Sequence, residues 1–411
     1  MKNSRCCRFC SAELKHTLVD LGLSPLSNAY LTAERLREGE MFFPLHVWVC
    51  DSCFLAQLEE FSSPKDIFSD YAYFSSFSES WLEHARRYVE EMSAERKLDA
   101  NSLVVEIASN DGYLLQYFVK KGVPVLGVEP AANVAAEARK KGVRSEVAFF
   151  GKATAEQLSQ QYGKARLLLG NNVLAHVPDI NDFIAGLKIM LHEEGLLTME
   201  FPSLLNLLQL NQFDTIYHEH FSYLSLSVVK RMFEKHGLTV HDVRELPTHG
   251  GSLRVYASHK ERQPAETDRL RSVLEKEKKA GLLGLQAYQN FEKNVLKIKI
   301  DLLEFLIRAR KEGKKVAGYG AAAKGNTLLN YAGIKPDLLS YVVDRSPHKQ
   351  GKYLPGSRIP IFAPERFQED KPDYVLILPW NLKGEICLQM DLIRKWGGRF
   401  VVSIPQVSIL P

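Results

Sequence analysis

The middle of the chain carries four buried-strand signals in succession, each closed by a turn, and this alternation with helical periodicity constrains the fold more than any other feature. "SLVVEIASNDGYLL" runs from an apolar strand through a small-residue turn into a helix. "VPVLGVEP" is a second strand ending in Glu129, and "ARLLLGNNVLAHVPD" and "EEGLLTMEFP" supply two more. "WLEHARRYVEEM", just upstream, has the spacing of an amphipathic helix. Short apolar strands that alternate with helices predict a mostly parallel sheet with helices on both faces. Ligands bind such sheets beyond the carboxyl ends of the strands. Three of those ends are chemically equipped here: Glu106 with the tight turn through Ala108, Asn110 and Gly112; Glu129 one βα unit later; and Asn171 with Asn172.

The first turn departs from the dinucleotide pattern of three spaced glycines, since "EIASNDG" contains only Gly112. A pyrophosphate needs a closer backbone approach than this turn offers, and the Glu106 carboxylate would repel it. That carboxylate suits an ammonium, and Glu129 suits a ribose diol. S-adenosylmethionine has both groups and no phosphate. The order "VVEIASNDGYLL", "GVEP", "NNVLAHVPD" resembles a class I S-adenosylmethionine-dependent methyltransferase, with Glu106, Ala108, Asn110, Gly112, Glu129 and Asn171 as donor-binding residues. The alternative is that both glutamates are solvated strand ends.

Five of the six cysteines fall within the first 53 residues. No apolar run approaches the roughly 20 residues of a membrane helix. The N-terminus "MKNSRCCRFC" has no apolar signal region, so a cytoplasmic location with reduced thiols is expected. Clustered cysteines there favour metal over disulfides. Cys7 and Cys10 form one CxxC and Cys50 and Cys53 a second, enough for a closed tetrahedral zinc site. Such a zinc has no open position, so it folds its domain and does not catalyse. Cys6 could compete with Cys7, and Cys387, on a predicted helix, is expected to be a small buried hydrophobe. A net charge of +4 over 411 residues suggests neither a nucleic-acid coat nor a membrane-surface protein.

"FDTIYHEHFSYLS" packs Tyr217, His218, Glu219, His220 and Tyr223 into seven residues, near the rim where a methyl donor would sit. A metal reading needs both histidines on one face, and no HExxH pattern supports it. An acid/base reading needs a histidine within reach of a substrate proton and a partner that fixes its tautomer, for which Glu219 is a candidate. Tyrosine hydroxyls would stabilise a developing enolate. The remaining reading is a polar loop hydrogen-bonded to backbone.

Downstream, Tyr288, Phe291, Val295, Ile298, Leu302 and Phe305 recur at helical spacing. The stripe is read as core packing, with a dimer seam as the alternative and a monomer as the expectation. "KKVAGYGAAAKGNTLLNY", "LLSYVVDRSPHKQGKYLPG" and "DYVLILPWNLKGEI" repeat the strand–turn theme in a second, smaller α/β sheet. Its first turn, through Gly320 to Lys324 and Asn326, offers backbone amides and an ammonium suited to a phosphate. The expected architecture is therefore α/β and multidomain. A small zinc-binding domain spans residues 1–72 and a Rossmann-like methyltransferase domain 73–258; a C-terminal domain, 259–411, has long helices over 262–312 and α/β over 313–411.

The two CxxC pairs, the methyltransferase turn, "YHEHFSY", "HGGSLRVY" and "GYGAAAKGN", in this order, resemble the sugar-nucleotide C-methyltransferases over essentially the whole chain. These enzymes act on NDP-4-keto-deoxysugars in deoxysugar biosynthesis. The resemblance implies that His220 is a general base removing the proton on carbon 3, which the 4-keto group acidifies, and that the enolate takes the donor methyl. It implies site roles for Tyr217, Glu219, His176 in "VLAHVPD", and a tyrosine just after the zinc domain. Tyr71 in "FSDYAYFSS" matches the last best, with Tyr73 two residues away. The sugar nucleotide is expected to be held by Lys324, Asn326, Gly320, Tyr223 and His249. Small-molecule O-methylation, methylation at carbon 5, and a zinc-finger nucleic-acid binder are the rival readings. The near-neutral charge and the lack of a basic aromatic patch oppose the last, so neither nucleic acid nor membrane is an expected partner.

Overall fold

The computed structural model describes residues 5–61 and 75–410, in which the strands form three sheets. The first begins with β1 (His16–Ser24), β2 (Phe43–Val49) and β3 (Ala56–Leu58), an antiparallel meander next to the cysteines. Alternation in "FPLHVWV" puts Leu45, Val47 and Val49 on one buried face of β2.

The second sheet contains β4 (Val104–Ile107), β5 (Val125–Val128), β6 (Ser145–Glu146), β7 (Ala165–Asn171) and β8 (Leu191–Pro202). β9 (Ser222–Tyr223) then leaves it and pairs with β3, completing the N-terminal sheet. β10 (Leu238–Leu246) and β11 (Ser252–His259) return to the second sheet, whose order is β10-β11-β8-β7-β4-β5-β6. From β8 to β6 all pairs are parallel, and β11 alone runs against the sheet, antiparallel to both β8 and β10. β4 and β5 are buried along their whole length, as continuous apolar strands covered on both faces must be. This is the Rossmann-like sheet of a class I methyltransferase. The chain runs outward from β4 to β6 and restarts at β7, so the crevice between β4 and β7 is the switch point where such sheets bind ligands.

The helices Asp268–Lys279 and Phe291–Lys311 follow. Phe291, Val295, Ile298, Leu302 and Phe305 are all buried, so the predicted stripe is consumed by the core. The third sheet has β12 (Val316–Tyr319), β13 (Val342–Val343), β14 (Ile361–Phe362), β15 (Tyr374–Ile377), β16 (Arg399–Val402) and β17 (Ser408–Ile409), ordered β14-β13-β12-β15-β16-β17 with only β17 antiparallel. One apolar core joins it to the N-terminal sheet and the long helix, and Phe213 and Ile216, just ahead of the histidine cluster, are fully buried in it. Burying a phenylalanine of this kind contributes about 1.5–3 kcal/mol, so the cluster is anchored by its own upstream residues. Among the described residues, no helix is long and apolar enough to cross a membrane.

Candidate active site

The turn after β4 is forced into the left-handed region at three places: Ala108, Asn110 and Gly112 have φ of 56°, 49° and 74°. A Cβ on Gly112 would also meet Val143 Cγ2 at 3.0 Å, so this position needs glycine for both backbone and packing. Glu129, at the end of β5, accepts from the amides of Asn110 and Ala131, both at 2.9 Å, and so ties the turn to the neighbouring strand. Each oxygen keeps a second lone pair for a hydroxyl. Glu106 lies fully buried under the turn, and among the described residues no group, the nearby Tyr113 hydroxyl included, comes within full hydrogen-bonding geometry of its carboxylate oxygens. Burial pushes its pKa well above 4.5; only the neighbouring Tyr113 hydroxyl opposes this, while Glu129 and Asp111 add to it. Asn171 Nδ2 donates to that tyrosine hydroxyl at 3.1 Å. Trp81, from the helix Glu79–Arg96, lies 5.8 Å from Tyr113, 5.0 Å from His84 and 5.2 Å from His249, making an aromatic wall that sequence patterning does not single out.

The histidine cluster sits between this cradle and the other two sheets. His218 and His220 point apart because Tyr217–His220 is a turn, closed by the His220 amide donating to the Tyr217 carbonyl at 2.9 Å, and not an extended segment, in which residues two apart would share a face. His218 Nε2 lies 3.2 Å from the Pro44 carbonyl in β2, and its ring meets Phe43 edge-on. It belongs to the junction with the N-terminal sheet. His220 Nδ1 lies 2.8 Å from the Thr215 carbonyl. A carbonyl only accepts, so Nδ1 carries the proton and Nε2 keeps a lone pair. Thr215, and not Glu219, therefore fixes this tautomer. The His220 ring is half-buried, 4.7 Å from His176 and 4.0 Å from Tyr217. Burial first, and then the nearby His176, hold its pKa well below 6.5. His176 is pushed down to about 4 by burial, against its bond to the Glu219 backbone. The Glu219 carboxylate faces the other way and accepts from Asn28 Nδ2 at 2.6 Å. Tyr223 is buried in β9, 6.4 Å from the His220 ring. Tyr71 and Tyr73 lie outside the described residues.

The C-terminal sheet closes the cleft. Lys324, in the first turn of the helix Ala323–Ala332, donates to Asn381 Oδ1 at 3.0 Å and lies 4.9 Å from the centre of the Trp380 ring. Trp380 Nε1 donates to Asp214 Oδ2 at 2.7 Å. Asn326 Nδ2 donates to the Ser27 carbonyl at 2.5 Å, while its Oδ1 is buried without a partner. Tyr30 donates to the Ala321 carbonyl at 2.6 Å, so the loop before β2 touches both the cluster and this turn. Gly320 has φ of 93°, and a Cβ there would meet Pro379 Cδ at 2.5 Å, a packing demand that a phosphate loop does not explain. His249, with φ of 54°, lies 3.0 Å from Asn172 Nδ2, and burial pushes it down to about 4. Glu200, at the end of β8, accepts from Arg254 at 2.7 Å and Thr248 at 2.8 Å, which with His84 outweigh its burial and hold it near about 2.

Away from this cleft, Cys7, Cys10, Cys50 and Cys53 bring four sulfurs within 4.8 Å of one another. Both knuckles close alike: the Ser11 amide donates to Cys7 O and the Phe54 amide to Cys50 O, each at 2.9 Å, with φ of 64° at Ser11 and 62° at Phe54. Cys6 is exposed and bridges to Glu13, leaving Cys7 as the ligand.

Three family profiles cover the chain in order: a zinc binding domain over residues 7–68, a methyltransferase domain over 79–243, and a C-methyltransferase C-terminal domain over 247–405. The C-methyltransferase NovU of Streptomyces niveus is 37% identical over 409 residues, 98% of this chain and 96% of that one. The chain belongs to the C-methyltransferase family. Solved structures match more loosely. Magnesium protoporphyrin IX methyltransferase from Synechocystis, with bound S-adenosylhomocysteine, is 17% identical with a TM-score of 0.36, over 43% of this chain and 83% of that one. An S-adenosylmethionine-dependent methyltransferase from Clostridium acetobutylicum is 11% identical with a TM-score of 0.35, over 43% and 92%.

As a member of the family, this C-methyltransferase uses S-adenosylmethionine as donor and zinc as a structural ion. The donor set of four thiolates is the closed one that zinc takes in structural sites. The donor cradle fits as well, because the buried, unpartnered Glu106 carboxyl lacks the cation that the donor's ammonium would supply. In the empty C-methyltransferase Glu106 stays protonated well above pH 4.5, and pairing with an ammonium lowers its pKa. Donor binding is therefore expected to release a proton, and affinity to rise with pH until Glu106 is ionised in the free protein. Calorimetry in buffers of different ionisation enthalpy reads this directly, and Glu106→Gln should abolish the proton release.

Proposed function

We propose that this C-methyltransferase methylates a nucleotide-linked 4-keto-deoxysugar at carbon 3, with His220 as general base. The observation that carries the reading is the His220 imidazole: its Nδ1 proton is spent on the Thr215 carbonyl, and among the described residues nothing hydrogen-bonds its Nε2 lone pair, in a half-buried cleft. A ring held well below 6.5 is neutral at physiological pH and needs no prior deprotonation. A proton on the carbon next to a ketone is the kind that such a base removes, and the electron pair left behind is shared with the ketone oxygen. Bound in the cradle, S-adenosylmethionine supplies a methyl group on a sulfonium, an electrophile that a carbanion takes without further activation.

Tyr217 and His176 flank the imidazole and limit how the sugar ring can approach it. Glu219 holds the wall between cluster and N-terminal loop through Asn28. The unpartnered Oδ1 of Asn326 and the half-buried ammonium of Lys324 leave polar capacity for the nucleotide-linked sugar on the C-terminal side. His249 borders the same space.

A panel of enzymatically prepared 4-ketosugar nucleotides, incubated with donor and followed by mass spectrometry and product NMR, tests the reading. The expected product carries a new C–CH3 on the carbon beside the ketone. A methyl ether, a methyl at carbon 5, or no turnover across the panel would contradict it.

A further inference from the structure

Lys324 stands where a phosphate-binding lysine is expected, yet its surroundings suit a different task. Trp380, against which its ammonium packs, is bonded to Asp214, and Asp214 is fully buried with no hydrogen-bond partner for Oδ1 among the described residues. Burial pushes the Asp214 carboxyl up to about 6, so it is an anion at neutral pH, and Lys324 is the cation that favours this. In return the carboxylate favours the charged form of Lys324, which burial alone would disfavour. A pyrophosphate beside a buried carboxylate would meet repulsion that a lone lysine could not offset. A single developing negative charge is what the pair can accept.

The helix that carries Lys324 lies against the segment leading into His220, where Thr327 Oγ1 donates to the Ile216 carbonyl at 2.8 Å, and from there the ammonium pushes down both His220 and His249. One N–H is spent on Asn381, and an ammonium has two more to give. The chemistry has a use for them. A hydrogen next to a ketone is weakly acidic, and an imidazole held below its ordinary pKa is a weak base. Proton transfer between them succeeds only if the charge that collects on the ketone oxygen is met by a donor. A cation on this side of the cleft depresses the imidazole, and its two remaining N–H groups are there to meet the enolate oxygen. Once Nε2 has its proton, the imidazolium and ammonium repel each other, and the enolate oxygen near both offsets that repulsion.

We propose that Lys324 is a catalytic residue that donates to the ketone oxygen next to the carbon His220 deprotonates, and that Asp214 is the positioning residue that keeps the ammonium charged and in place. The C–H electron pair becomes the C=C bond, the carbonyl π pair moves onto oxygen, the proton goes to His220 Nε2, and Lys324 keeps its protons. The proposal rests on the 4-ketosugar reading above.

The test follows deuterium uptake from solvent at that carbon, with S-adenosylhomocysteine bound, in wild type, Lys324→Met, Lys324→Arg and Asp214→Asn. Affinity for the matching nucleoside diphosphate is measured alongside. Lys324→Met is expected to slow exchange by about 100- to 1000-fold, as loss of an oxyanion donor does. Nucleoside diphosphate affinity should change by less than about threefold, about half of a tenfold step in Kd on the free-energy scale. Lys324→Arg, which keeps the charge, should recover part of the loss, and serves if the methionine variant fails to bind S-adenosylhomocysteine. Among the described residues, the titratable groups coupled to the ammonium by charge are Asp214, His220 and His249. Asp214→Asn removes the one anion among them, so the alkaline limb of the exchange rate should move to lower pH, which a merely structural loss would not do. Exchange within about threefold of wild type in Lys324→Met, or a loss of diphosphate affinity larger than the loss of exchange, would overturn the lysine's role. An unmoved alkaline limb would overturn that of Asp214. Wild type that exchanges with no 4-ketosugar would instead remove the substrate reading, and this proposal with it.

Discussion

A Cys53→Ser variant is expected to lose methyl transfer by at least about 100-fold, although no cysteine lies in the catalytic cleft. The reason is a strand. Cys53 lies three residues ahead of β3, and β3 pairs with β9 through Ala56 with Tyr223 and Gln57 with Ser222. The Leu58 amide also donates to the Phe221 carbonyl at 3.0 Å, one residue beyond His220. Gln57 links the two sites again, since its Nε2 donates to Cys7 Sγ at 3.2 Å. Structural zinc in small domains contributes about 10–16 kcal/mol of apparent binding energy at pH 7, so removing it unfolds what it holds. Without it, β9 loses its partner and the His218 contact to Pro44 goes too, leaving His220 between the buried Phe213 and Ile216 upstream and the Leu224 bridge to Ser203 four residues downstream. A displacement on the order of 1 Å of a catalytic group is enough for the stated loss. Metal content, melting temperature and turnover of the variant, and of chelator-treated wild type, check this. Full activity in zinc-free protein would contradict it.

His220→Asn is expected to lower methyl transfer by about 100- to 10,000-fold, the range that general bases contribute, with donor affinity unchanged. Asparagine is chosen because its amide can still donate to the Thr215 carbonyl while offering no basic nitrogen. The wild-type pH profile carries a second signature. Because the folded-state pKa of His220 is depressed, activity should persist as pH falls through 6.5 and decline only where the ring at last protonates, below that value. An acid limb centred at or above 6.5 would point to another group.

The parts of this molecule legible in the sequence are those encoded locally. The strands of the central sheet are continuous apolar runs because both faces are covered, and the zinc site is two CxxC turns, each complete within a few residues. The proton-carrying cluster was visible as composition. Its division of labour was not, because it depends on which way each ring points around the turn Tyr217–His220. The tautomer of His220 is set by a backbone carbonyl, a group that every residue carries and no motif marks. Asn28, Tyr30, Trp81 and Trp380 escape a sequence reading because long-range packing brings them to the cleft. Trp380 and Asn381 had a usable signal: they follow the end of β15 as Asn171 ends β7, at a sheet edge where ligands bind. Asp214 sits in the turn just ahead of the cluster, and its significance appears only when Trp380 is folded against it.

The central claim is that an imidazole converts a carbon of the substrate into a nucleophile before any methyl moves. The most direct measurement is NMR of a 4-ketosugar nucleotide in deuterated water with S-adenosylhomocysteine bound, comparing wild type with His220→Asn. Wild type should place deuterium on the carbon beside the ketone with no methyl donor present, and the variant should not. Equal exchange by both proteins, or none by a wild type that methylates the same sugar, would contradict the account.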